Sequence, residues 1–100
     1  MHSVALRIAP DHPAFAGHFP GEPLLPGVAL LAEVLEAIDA LPAFAERVGR
    51  TPRIANAKFL APVRPGAQLG ITLDVGPRGV RFEVREGERI VASGQFEVVP

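Results

Sequence analysis

One hundred residues with ten Lys and Arg against eleven Asp and Glu leave a formal net charge of −1 and no basic cluster, which sets nucleic-acid binding aside. The chain has no cysteine, excluding disulfides, thiol nucleophiles and zinc knuckles, and no Trp or Tyr to serve as stacking platforms for sugars or single strands. Its length predicts one domain over residues 1–100 that buries only about 60–70% of its unfolded surface, so a core shared between subunits would help it.

The opening Met1-His2-Ser3-Val4-Ala5-Leu6-Arg7 has too short an apolar run for a signal peptide, and Arg7 interrupts it. The longest apolar run, Val28 to Ala32, ends at Glu33, far below membrane-spanning length. A cytoplasmic protein without a membrane partner is the expectation.

Ser3 to Ile8 alternates loosely and reads as a first strand, ended by Pro10 and Asp11. Residues 10–27 then form a loop dense in proline and glycine; a loop that long in a small domain is usually functional. At its centre stands Gly17-His18-Phe19-Pro20-Gly21, followed by Glu22-Pro23-Leu24-Leu25-Pro26-Gly27-Val28. The prolines fix φ and remove donors, the glycines allow geometries other residues resist, and His18 is the one chemically versatile side chain of the motif.

From Pro26 to about Leu41 the pattern is helical, with Val28, Leu31, Leu35 and Ile38 on one side and Leu30, Val34 and Leu41 beside them. The polar side carries only Glu33, Glu36 and Asp39, so cover by the sheet and by a second subunit is expected. Pro42 interrupts the helix, and Ala43 to Val48 adds one loose turn before Gly49.

The second half changes period. Arg53–Phe59, Gln68–Val75, Val80–Arg85 and Arg89–Val98 read as strands, and the two later separators, Gly76–Gly79 and Glu86–Glu88, are short enough for hairpins. The order strand, loop, helix and antiparallel meander predicts an α+β fold with a helix on a sheet.

The ordered motifs Gly17-His18-Phe19-Pro20-Gly21 and Pro26-Gly27-Val28 closely resemble the hotdog-fold 3-hydroxyacyl-acyl-carrier-protein dehydratases of fatty-acid synthesis, especially their small relatives in arylpolyene-type pathways. The segment Ala57-Lys58-Phe59-Leu60-Ala61-Pro62-Val63-Arg64-Pro65-Gly66-Ala67-Gln68-Leu69 matches that family's second signature, and the resemblance covers nearly the whole chain. It implies an antiparallel sheet wrapped around one long central helix, an acyl tunnel at a subunit interface, and homodimers or higher homo-oligomers joined sheet edge to sheet edge. It implies acyl carrier protein as the partner that delivers the thioester, and no cofactor.

Dehydrating a 3-hydroxyacyl thioester needs a base for the α-proton, a donor for the departing hydroxyl and stabilisation of an enolate-like oxygen. The resemblance implies that His18 is the base, a role suited to a histidine near neutral pH. Phe19, Pro20, Gly21, Gly27 and Val28 are the expected substrate-binding residues, with backbone N–H groups at the helix start meeting the oxygen. His12 reads as a turn-bonding or solvent-facing side chain and His2 as a terminus. Three histidines without a matching carboxylate spacing make a poor metal site.

The resemblance breaks at one position. The family carries Glu or Asp six residues after the proline that starts the helix, where this chain has Ala32. Glu36 points within about 40° of Ala32 and sits roughly 6 Å further along the axis, which makes it the better replacement acid. Glu33, rotated about 100° from Ala32, would need a shift of the helix. Without either, the chain would be an acyl-thioester-binding or partner subunit. A hotdog thioesterase is a third reading, which the Gly-His-Phe-Pro-Gly loop argues against.

Overall fold

A computed structural model describes residues 1–16 and 24–98. Its elements in chain order are β1 (His2–Arg7), a 3-10 turn (Pro13–Phe15), α1 (Gly27–Asp39), α2 (Pro42–Val48), β2 (Ile54–Phe59), β3 (Gln68–Gly76), β4 (Gly79–Glu86) and β5 (Arg89–Glu97). All five strands join one antiparallel sheet in the order β1-β3-β4-β5-β2. Among the described residues no helix is long and apolar enough to cross a membrane.

Strand alternation decides which face is core. Leu69, Ile71 and Leu73 of β3, Val80, Phe82 and Val84 of β4, and Val91, Ala92 and Phe96 of β5 are buried, while their neighbours Thr72, Asp74, Arg81 and Glu83 turn to the opposite face. From α1, Leu30, Val34 and Ile38 enter the same apolar cluster. They recur every four residues, so they form one stripe along the helix. Each fully buried side chain of this kind contributes about 1.5–3 kcal/mol.

The strands β3, β4 and β5 form the expected meander. The Gly76–Gly79 connection is a two-residue hairpin, and Gly87 opens the β4–β5 turn at a φ of 62°, a conformation that glycine adopts without a Cβ penalty. The expectation fails at β2, which pairs with β5 at the far edge instead of with its sequence neighbour β3. Pro62 and Pro65 keep residues 60–67 out of a hairpin, and that segment crosses below the sheet's end. Its backbone is tied down on both sides: Leu60 N–H donates to Val91 O at 2.9 Å, Gly66 N–H to Ile8 O at 2.8 Å, and Ile8 N–H to Ala67 O at 2.9 Å.

Pro42 does more than interrupt. It occupies the first turn of α2, where its missing N–H has no intrahelical partner to lose, and α2 runs a full seven residues until Gly49 at φ 78° stops it.

Candidate active site

The start of α1 is placed by the crossing segment. Leu25 N–H donates to Val63 O at 2.8 Å, which clamps the chain just before Pro26. Pro26 itself caps the helix without a side-chain bond, and the first intrahelical bonds are donated by Ala29 and Leu30 to Pro26 O. The N–H groups of Gly27 and Val28 precede those bonds and so lie in the turn where a helix leaves its donors unpaired and its dipole positive.

Against this turn lies an apolar cleft of about 370 Å³, lined by Leu24, Pro26, Gly27, Leu30, Phe59 and Leu60 among others. Phe59 closes over Gly27 so tightly that a Cβ there would meet the ring at 2.9 Å. Only glycine lets the ring and the helix backbone approach this closely. Val28 is 79% exposed; the core-facing row is Leu30, Val34 and Ile38, which turns Val28 outward. A larger hollow of about 670 Å³ on the outer face of the sheet is lined by Lys58, Asp74, Arg81 and Glu83 and is open to solvent. Water there would screen any chemistry that depends on charge.

His18, Phe19, Pro20 and Gly21 lie outside the described residues. Ala16, two residues before His18 in the chain, closes the 3-10 turn by donating to Pro13 O at 3.1 Å. His12 N-caps that turn: its Nδ1 accepts from Ala14 N–H at 3.0 Å. The second ring nitrogen, Nε2, lies 2.9 Å from Glu33 Oε1.

That contact changes the picture of the two carboxylates. Glu33 is not on a solvated face; its side chain is 19% exposed and meets His12, itself 21% exposed. Ala32 and Glu36 are both exposed, as their shared side of the helix predicts. The arrangement thus brings Glu33 to the segment leading into the histidine motif, and leaves Glu36 on open surface.

His12 bonds its own turn, as its turn-bonding reading expected, and what the sequence did not disclose is its second partner, Glu33. Helical angles place Glu33 about 100° from Val34 but cannot say what packs on that flank. No local sequence signal points to that partner, because the two residues are 21 positions apart.

Comparison with known proteins gives concordant matches. A family model described as ApeI-like, ApeI dehydratase, matches residues 1–95. A 3-hydroxyacyl-acyl-carrier-protein dehydratase FabZ from Aliarcobacter butzleri is 36% identical, covering 93% of this chain and 73% of its own. The FabZ of Symbiobacterium thermophilum is 35% identical over 72% of this chain, which spans only about half of that relative, 54%. Among solved structures, the dehydratase heterocomplex ApeI:P from Xenorhabdus doucetiae superposes with a TM-score of 0.76 at 28% identity, covering 98% of this chain and 86% of that one.

Proposed function

Because the chain belongs to the ApeI-like dehydratase family, we propose that it removes water from a 3-hydroxyacyl thioester on acyl carrier protein to give the trans-2-enoyl thioester. The observation that carries this reading is the family match over residues 1–95, which spans both the His18 loop and the Ala57–Leu69 segment that clamps α1. In the reaction His18 takes the α-proton. A carboxyl on α1 gives a proton to the hydroxyl as its bond to the β-carbon breaks, and water leaves. The thioester oxygen, which gains negative charge, is met by the N–H groups of Gly27 and Val28. The acyl chain lies in the cleft beside Phe59 and Leu60, where Gly27 admits it close to the backbone. Phe19, Pro20 and Gly21 shape the same pocket from the loop.

Glu33 is the carboxyl we assign as the acid, with Glu36 second. Glu33 is held on the side of the helix that meets the loop, whereas Glu36 is exposed and reaches the site only across a subunit interface. The assembly is a homodimer formed through β2. This strand is a free edge of the sheet, and Ile54, Phe59, Leu60 and Val28 expose apolar surface around it. Lys58 is a candidate contact for the acidic carrier protein.

The test is water addition to a carrier-bound trans-2-octenoyl thioester. His18→Ala is expected to lower the rate by about 10²–10⁴, the usual worth of a positioned base. A folded parent without turnover overturns the reading.

One observation favours a second reading, that of one half of a mixed dimer. Ala32 stands where the family has its carboxylate, and the structural relative from Xenorhabdus doucetiae is a heterocomplex. In that case the chain binds the thioester alone and turns it over only when mixed with a related subunit that carries the missing carboxylate.

A further inference from the structure

We propose that two copies of the chain join β2 to β2 antiparallel with Ala57 on the two-fold axis, and that each copy thereby sets its Ile54 against the apolar cleft of the other. The inference rests on the homodimer proposed above and adds to it the register of the contact and the side chain that crosses between subunits. It begins from the backbone of β2. Leu60 N–H donates to Val91 O at 2.9 Å, and the carbonyl of Asn56 faces Gly94, so both residues direct their backbone groups to β5. Along an antiparallel strand those groups alternate in direction, so the ones on Ala57 and Phe59 turn to the open edge. Opposed residues in such a pair share a face of the sheet, so the axis passes through a residue and not between two.

Only the middle of this six-residue strand gives a useful overlap, which leaves Asn56, Ala57 and Lys58 as positions for the axis. The side chains choose between them. With Lys58 there, two like charges meet directly, which is unfavourable. With Asn56 there, Lys58 lies against the partner's Ile54 and Phe59 against the partner's Arg53. With Ala57 there, a small side chain meets its own copy, and Lys58 lies against the amide of the partner's Asn56. Phe59 then meets the partner's Ala55, and Leu60 the partner's Ile54. Ile54, Phe59 and Leu60 are the exposed large apolar side chains of this edge, and only this register covers each of them with apolar surface.

The register bears directly on the cleft. Ile54 pairs with Phe96 and Phe59 with Ala92, both buried, so Ile54 and Phe59 face the core side, where the cleft opens. Within one chain they stand roughly 16 Å apart along the strand, and Ile54 does not line its own cleft. Antiparallel pairing brings the start of the partner's strand to the end of this one. The partner's Ile54 then lies beside Phe59 and Leu60, on the flank of the cleft that this chain leaves open. It shields from water the ring that packs on Gly27. The two-fold repeats the exchange, so the dimer holds two clefts, each closed by one isoleucine from the other copy.

The chain has neither cysteine nor tryptophan, so each can be introduced as a clean reporter. Asn56 and Lys58 are exposed, and in this register they oppose one another as a non-hydrogen-bonded pair with Cα atoms about 4.5 Å apart, a span that a disulfide bridges. Two copies of either one alone are diagonal neighbours about 7–8 Å apart, too far for that bond. The double variant Asn56→Cys/Lys58→Cys is expected to become a covalent dimer on air oxidation, read on a non-reducing gel, while each single variant runs as a monomer. Thermal melting of the reduced proteins controls for folding. Ile54→Trp, added to the double variant, is expected to emit at shorter wavelength when cross-linked than when reduced and dilute, because the indole leaves water.

Other patterns overturn the proposal at different levels. Cross-linking by Asn56→Cys alone or by Lys58→Cys alone moves the axis to that residue and leaves a homodimer through β2 standing. A water-exposed indole in the cross-linked dimer removes Ile54 from the cleft. If no variant cross-links in folded protein, β2 does not meet its own copy, and the homodimer falls with the register. Nothing in this experiment measures turnover, so the dehydratase reading is decided separately by the hydration assay.

Discussion

The strands β1 and β2 have equal length and close opposite edges of one sheet, yet their chemistry differs. In β1, Val4 and Leu6 point to the core face and are half-buried, while Ser3, Ala5 and Arg7 are exposed. In β2, Phe59 pairs with Ala92 and so points to the same core face, but remains 50% exposed; Ile54 is 48% and Leu60 59% exposed. The core layer covers Val4 and Leu6 of β1 but, on β2, only Ala57. Both are terminal strands, but the β2 edge adds exposed apolar side chains to its outward backbone groups, the combination that invites another strand. The cleft, Gly27 and the exposed Val28 all lie on the unfinished side, so whatever covers that edge also walls the site.

The most damaging way to test this division is to pull β2 from the sheet. Gly94 of β5 has no room for a side chain: a Cβ would meet Asn56 O at 2.5 Å and the Phe82 ring at 2.7 Å. Backbone on one side and a core ring on the other leave neither neighbour free to yield. Gly94→Ala is expected to cost about 1–3 kcal/mol, the range for overpacking. In a melting experiment that is a fall of roughly 5–20 °C. An unchanged melting temperature would mean that β2 leans on something other than β5.

Strand order explains why some of this was legible in the residues and some was not. The alternation of Val80, Phe82 and Val84 against Arg81, Glu83 and Arg85 predicts β4 to within a residue, because one face is buried and the other solvated. The hairpin turns follow from Gly76–Gly79 and Gly87, where short connections permit little else. The position of β2 does not follow, since pairing across the sheet is decided by a long-range contact with β5 that leaves no local periodicity. Ile54 to Phe59 lacks the clean in-out pattern for the same reason that its surface is uncovered. At the site, the motif alone carries the expectation for His18, which lies outside the described residues, and displays the Ala32 break. The bond between His12 and Glu33 joins residues 21 positions apart, and no helical wheel contains it.

A second test acts on the apolar surface without touching the sheet. Leu60 is 59% exposed and follows β2 directly, so an aspartate there disturbs little in the isolated chain. In a dimer formed through β2, it places a charge in a dry contact and removes a side chain worth about 1.5–3 kcal/mol when buried. Leu60→Asp is expected to weaken self-association by about 10- to 100-fold in sedimentation equilibrium, with the secondary structure of the dilute protein unchanged. Activity would fall with the dimer if the edge also walls the apolar cleft beside Phe59. A protein that stays dimeric would place the interface elsewhere.

The smallest effect is expected at the finished edge, and it is the control that gives the comparison its meaning. Ala5 lies opposite Gly70 on β1 and is exposed, with nothing packed on it that a longer side chain would displace. Lysine is the residue natural edge strands use to discourage pairing, so Ala5→Lys adds a feature suited to a terminal edge. Stability is expected to move by no more than about 0.5 kcal/mol, and association not at all. The pair of edge variants is then decisive in either direction. If Ala5→Lys dissociates the protein and Leu60→Asp does not, subunits join through β1, the exposed residues around β2 need a different occupant, and the apolar cleft beside Phe59 is walled by this chain alone.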